Sequence, residues 1–141
     1  MKIADVMIRD PVVVKPDASC RRIAQIMRDN KIGSVIVSIE EKPVGVVTER
    51  DLVHRVMAGG MDPNRCFASE VMSKPVVAVG VHGDVDLAVD MMNEYKIRRM
   101  VIVDNKDKVV GILTTDDLAK NLRSMSEELA VKYMILARRS K

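Results

Sequence analysis

The sequence predicts an α/β (α+β) fold in which two β-α-β-β-α repeats pack with pseudo-two-fold symmetry, followed by a C-terminal helix. Three observations carry this. The chain repeats itself at a spacing of 65 to 66 residues: IADVM at 3–7 falls on ASEVM at 68–72, Met27 on Met92, Lys31-Ile32 on Lys96-Ile97, and GVVTERDL at 45–52 on GILTTDDL at 111–118. Within each copy, short β-branched runs that read as strands alternate with stretches of helical periodicity. The composition is 48% hydrophobic and 30% charged but only 2% aromatic, so the core must be built from Val, Ile, Leu, Ala and Met rather than rings. A period this long, present twice, is not a solenoid; it predicts two similar subdomains, each too small to cover its own sheet, docked together.

In copy one, the run VVV at 12–14 follows a proline and reads as a strand. Asp17 or Ser19 can cap a helix that carries Ile23, Ile26 and Met27 on one side. SVIVSI at 34–39 is a buried strand, VGVV at 44–47 a short one after a turn, and TERDL begins a second helix over about 49–57, stopped by AGG at 58–60. Copy two follows the same order: VVAV at 76–79, a helix capped by Asp84 or Asp86 with Leu87, Ala88, Met91 and Met92, MVIVD at 100–104, VVGIL at 109–113, and a helix over about 115–122. Matching VIV at 35–37 to VIV at 101–103 places the change of register just after the Lys-Ile pair. There copy one has Gly33-Ser34 and copy two has Arg98-Arg99-Met100. The domains are then residues 1–60, 61–122 and a helical tail, 123–141. In the tail, Ser124-x-x-Glu127 has capping-box spacing. Its apolar residues, Ala130 to Ala137, span more than one docking face, so the helix can lie on its own domain or form a subunit contact.

Thr48-x-x-Asp51 and Thr114-x-x-Asp117 also match the capping box, which by itself accounts for both residue types. Gly45 and Gly111 fit a bend or a close approach in the preceding strand. Recurrence adds a second reading. A strand that ends on a capped helix start presents free N–H groups and the positive end of the helix dipole. An Asp carboxylate there can accept two hydrogen bonds from a ribose diol, and a Thr hydroxyl can donate to phosphate. The chemistry on offer is nucleotide binding without a metal or a nucleophile.

Over about residues 1–122 the chain resembles a tandem of cystathionine-β-synthase (CBS) domains, the Bateman module. The resemblance rests on the duplicated element order, Val-Met near each start, Lys-Ile before each VIV strand, and G-h-h-T-x-x-D-L at both 45–52 and 111–118. It implies a stand-alone, non-catalytic regulatory module that binds AMP, or ADP, ATP or S-adenosylmethionine, in clefts between the repeats. By the same resemblance, Asp51 and Asp117 bind ribose hydroxyls and Thr48 and Thr114 lie near phosphate. Adenine would slot against Pro11, Val12 and Val13 or Pro75, Val76 and Val77, with Ile23 and Ala88 on the first helices. Homodimerisation through the second helices and the C-terminal helix is implied as well, with a regulated protein partner that nothing in the sequence names. Arg98 and Arg99 can hold phosphate bidentately and Gly33-Ser34 cannot, so the site of Thr114 and Asp117 is expected to bind phosphate more tightly. Arg50, where copy two has Asp116, works against that asymmetry.

Other classes find little support. A net charge of +3, without stacking aromatics or a basic stripe beyond Arg98-Arg99 and the tail's Arg138, Arg139 and Lys141, does not predict nucleic-acid binding. The alternative reading is a protein-binding or nucleic-acid-binding regulatory subunit that needs no nucleotide. Cys20 and Cys66 lack metal or CxxC spacing and are expected to be idle buried thiols in a reducing compartment. No signal-peptide core and no apolar run near 20 residues is present, which predicts a cytoplasmic protein without a membrane span. His54 and His82 have no nucleophile or ligand set beside them, and no phosphate-binding P-loop occurs, so no enzyme is expected.

Overall fold

A computed structural model describes residues 1–139; Ser140 and Lys141, the second of which was counted with the basic tail, lie outside the described residues. The elements in chain order are α1 (Ile3–Val6), β1 (Ile8–Arg9), β2 (Val13–Val14), α2 (Cys20–Asn30), β3 (Ser34–Ile39), β4 (Lys42–Thr48) and α3 (Glu49–Asp51), which widens into a π-helix, Leu52–Met57. After these come α4 (Ala68–Val71), β5 (Ala78–Gly80), α5 (Val85–Tyr95), β6 (Arg99–Val103), β7 (Val109–Thr114), α6 (Thr115–Lys120), a 3-10 turn (Leu122–Ser124) and α7 (Glu127–Arg139). The fold is mixed α+β, and the β-α-β-β-α order occurs twice, as β2 to α3 and as β5 to α6. Among the described residues no helix is long and apolar enough to cross a membrane.

One unit is Pro11–Val76. Its sheet has the order β2-β3-β4, with β2 parallel and β4 antiparallel to β3. The α2 crossover starts at Ser19, whose hydroxyl accepts the Arg22 N–H at 3.1 Å, and ends at Lys31 in the left-handed region (φ 54°). Its apolar stripe buries Cys20, Ile23 and Met27 against Val35, Val37 and Val47, and α4 adds Ala68 and Val71.

The other unit joins Met1–Asp10 to the chain from Val77 onward. Its sheet is β1-β7-β6-β5, and α5 is the crossover between parallel β5 and β6. Its core gathers Ile3, Val6 and Met7 from α1 with Val85, Ala88, Met92, Leu113 and Leu118, closed by Leu129 and Leu136 of α7. The tail helix therefore lies on its own unit while its opposite face leaves Val131, Met134 and Ile135 exposed. Sequence repeat and compact unit do not coincide. The opening helix of each copy, α1 or α4, is buried in the core that the other copy's strands build.

The pairing registers correct the alignment of the copies. Ser34 pairs with Thr48 and Arg99 with Thr114; Val13 pairs with Ile36 and Ala78 with Val101. Hence β3 and β6 are related by 65 residues throughout, so Val35-Ile36-Val37 matches Met100-Val101-Ile102 and not VIV at 101–103. The extra residue lies in the hairpin: Ser38 pairs with Pro43 across four residues, Val103 with Val109 across five. A hairpin tip accepts an insertion without shifting a buried face. Two cap assignments change as well. Asp84 sits at the N-cap of α5 without a side-chain cap bond and pairs with Lys2 Nζ at 3.0 Å instead. The hydroxyl that caps α7 is that of Ser126, accepting the Leu129 N–H at 3.2 Å, because Ser124 is taken up in the 3-10 turn.

Cys20 and Cys66, distant in sequence, are direct partners. The Cys20 N–H donates to Cys66 O at 2.9 Å and the Ala68 N–H to Ala18 O at 2.8 Å, flanking an antiparallel bridge between Ser19 and Phe67. Both thiols are buried, at 1% and 2% exposure. Burial first, then the neighbouring Cys66 thiol, pushes the Cys20 thiol up to about 12. The folded state thus holds a proton that the unfolded chain releases, and stability falls as pH rises from about 9 toward 12. Urea midpoints measured across that window are expected to fall less steeply for Cys20→Ala than for the parent.

Gly45 and Gly111 answer to close approach. A Cβ at Gly111 would lie 2.7 Å from Met7 Sδ and 3.0 Å from Ile8 O, and one at Gly45 would collide with Met72 Sδ. Gly111→Ala is expected to lose about 1–3 kcal/mol in chemical denaturation by overpacking, whereas Gly80→Ala, with nothing within 4 Å, stays near the parent.

Candidate functional site

Each unit has one corner where a strand runs straight into a helix. Thr48 (φ −111°, ψ 164°) and Thr114 (φ −119°, ψ 165°) keep strand dihedrals, and the next residue is helical. The reciprocal capping box is complete at both. The Thr48 N–H and hydroxyl donate to Asp51 Oδ2 at 2.9 and 3.1 Å, while the Asp51 N–H donates to Thr48 Oγ1 at 3.2 Å. Thr114 and Asp117 repeat this at 2.8, 2.9 and 3.3 Å. Both carboxylates are buried, each residue 6% exposed. A further amide is held by the sheet: Glu49 N–H donates to Gly33 O and Thr115 N–H to Arg98 O, each at 3.0 Å. Of the first four amides, the described bonds thus leave only that of Arg50 or Asp116 for an anion, fewer than an open helix start offers.

The strand registers decide what stands beside each corner. Thr48 lies across from Ser34, and β2 lies on the far side of β3 with Val12 O accepting the Ile36 N–H at 3.1 Å. Pro11, Val12 and Val13 therefore lead into the same end of the sheet as Thr48 and Asp51. In the other unit Arg99 lies across from Thr114, Arg98 is exposed next to it, and Val77 O accepts the Val101 N–H at 3.3 Å, so this strand too enters at the Thr114 end. Pro75 and Val76 belong to the Pro11–Val76 unit. Arg50 and Asp116 are both exposed. Ile23 and Ala88 are each fully buried in the hydrophobic core of their own unit, because the first helices need them as packing residues. Neither presents a surface to a ligand.

Two residues absent from the sequence reading complete the first corner. Ser73 Oγ donates to Asp51 Oδ1 at 3.1 Å and reaches Oδ2 at 3.3 Å; Arg55 Nε lies 3.7 Å from Oδ1. Arg55 Nη1 is held in turn by Val71 O at 3.1 Å and Met72 O at 3.3 Å. Arg55 follows Asp51 by one helical turn, a spacing visible in sequence, but Ser73 lies 22 residues away and only folding brings it in.

The CBS-domain family profile matches residues 3–58 and 68–124. An uncharacterized protein of Methanopyrus kandleri is 39% identical over 119 residues, which cover 84% of this chain and 61% of that protein. The chain thus spans about three-fifths of the length of that relative. A solved CBS-domain protein of Pyrobaculum aerophilum, complexed with AMP, superposes with a TM-score of 0.79 at 24% identity, covering 96% of this chain and 99% of the other. A CBS-domain pair solved with 5′-methylthioadenosine and S-adenosylmethionine gives 0.76 at 24%, covering 85% and 98%.

The two boxes carry separable structural loads. Without ligand, Thr48→Ala and Thr114→Ala are each expected to lose about 1 kcal/mol in urea unfolding, with Ser restoring most of it. Asp51→Ala is expected to cost more than Asp117→Ala, since it also strands Ser73 and Arg55.

Proposed function

This chain belongs to the CBS-domain family, and on that premise we propose that it is a non-catalytic regulatory module that binds an adenosyl ligand, AMP first among AMP, ADP, ATP and S-adenosylmethionine. The observation that carries the reading is the duplicated corner. Each places a buried carboxylate and a Thr hydroxyl at the end of a sheet, with one helix-start amide that no bond among the described residues takes up, and Pro11–Val13 in one unit or Val77 in the other enters at that same end. Asp51 or Asp117 would take the ribose diol, Thr48 or Thr114 would face phosphate, and Pro11 to Val13 or Pro75 to Val77 would flank adenine. Arg99, across from Thr114, and the exposed Arg98 before it would offer positive charge to phosphate at that corner. That other CBS-domain proteins hold AMP or S-adenosylmethionine supports the ligand class. Regulation follows only where the ligand prefers one conformation of the module over another, and the partner that reads that preference is a protein.

We propose in addition that two copies pair. The π-helix exposes Val53 and Met57, the latter 78% exposed, and Val53 borders a groove of about 370 Å³ whose apolar floor of Ala24, Met27, Ile32 and Leu52 is flanked by Arg28, Lys31 and Glu49. The outer face of α7 exposes Val131, Met134 and Ile135.

Calorimetry with AMP tests the ligand. Asp117→Ala is expected to weaken binding about 10- to 150-fold, the worth of hydrogen bonds to a charged group. Unchanged affinity in both Asp51→Ala and Asp117→Ala would overturn the assignment. Sedimentation tests the pairing: Met57→Glu is expected to shift the parent's dimer toward monomer, and a parent that is monomeric at all concentrations removes it.

A further inference from the structure

The two corners share a cap but not a second oxygen. At Asp51 the carboxylate accepts from Thr48 twice, from Ser73 at 3.1 and 3.3 Å, and faces Arg55 at 3.7 Å. At Asp117, among the described residues, every hydrogen bond to the carboxylate goes to Oδ2 and comes from Thr114. The difference follows from two substitutions between the copies. Ser73 bridges to Val46, and the residue that holds the same register in the other unit, opposite Ile112, is Ile8, whose side chain has no donor. Four residues after each Asp stand Arg55 and Asn121, and the Asn121 side chain turns back to Asp117 O at 2.8 Å instead of toward the carboxylate.

We infer that the chain carries one working diol-binding carboxylate, Asp117, and one that is internally occupied, Asp51, with Ser73 and Arg55 as the positioning residues that close it. The inference rests on the adenosyl-ligand reading above and says which corner performs it. A ribose diol must donate to lone pairs. At Asp117 Oδ1 it has no hydrogen bond from a described residue to displace. At Asp51 it must displace the Ser73 hydroxyl and compete with a guanidinium that Val71 O and Met72 O hold in place. A hydrogen bond to a charged group exchanged for another of the same kind leaves little net gain, so the Asp51 corner binds at least about tenfold more weakly. Ser73 lies two residues after the end of α4, so the closure couples the second copy's opening helix to the first copy's motif helix.

The test is calorimetry of the full chain with AMP. The parent is expected to take up one AMP tightly, and Asp117→Asn to lose that event. Ser73→Ala is expected to strengthen a second event about tenfold, and the gain to vanish in Ser73→Ala/Asp51→Asn. The converse graft, Ile8→Ser with Asn121→Arg, builds the closure at the other corner and is expected to weaken the Asp117 event about tenfold. Two equal events in the parent, or a Ser73→Ala variant and a graft that both bind as the parent does, overturn the inference while leaving the ligand reading intact. A parent that binds none of AMP, ADP, ATP and S-adenosylmethionine overturns both.

Discussion

The structure turns on three hydrogen bonds exchanged across one strand-to-helix corner. A threonine hydroxyl accepts the amide proton three residues on, and an aspartate carboxylate returns to the threonine amide and hydroxyl. This exchange ends β4 and β7 at fixed points, starts the next helix, and leaves a charged group buried at a sheet end. Burial of a carboxylate is tolerable only because several donors surround it. The same requirement makes the corner a binding feature, since a carboxylate held in place with lone pairs to spare can accept donors from a ligand as well as from its own chain.

How many lone pairs are spare depends on a second constraint, the exchange of the opening helices. A four-residue helix such as α1 or α4 buries too little to hold itself, and it survives by supplying Ile3, Val6 and Met7, or Ala68 and Val71, to a core. The residue that follows it then lies along the edge of β7 or β4. Gly111 and Gly45 face the methionine that ends each helix, where a side chain would not fit. An edge position reached this way is serine in one unit and isoleucine in the other, and together with Arg55 in place of Asn121 it accounts for the extra donors around Asp51.

The element order, both capping boxes, both tight glycines and SVIVSI as β3 were legible because each rests on local chemistry: β-branched runs, helical spacing, a box of four residues. The reading failed where local identity was degenerate. VIV aligns with VIV one residue out of place because both strands are apolar on both faces, so neither face betrays a slip. Ser124 and Ser126 both precede acidic residues, and only the 3-10 turn that consumes Ser124 selects between them. Ile23 and Ala88 looked available to adenine from their place on the first helices, yet a helix has one buried stripe and both lie on it.

From the sequence alone came the duplication, the strand-helix alternation, the family likeness and the identity of the two Thr/Asp pairs, because repetition and short-range spacing are properties of the chain itself. Only the tertiary structure decided which core each opening helix joins, that Cys20 faces Cys66, and that Ser73 and Arg55 converge on Asp51 while, among the described residues, the carboxylate of Asp117 accepts from Thr114 alone. Those are contacts between residues far apart in the chain. Their geometry follows from strand register and from which core buries which helix, and no window of sequence contains either.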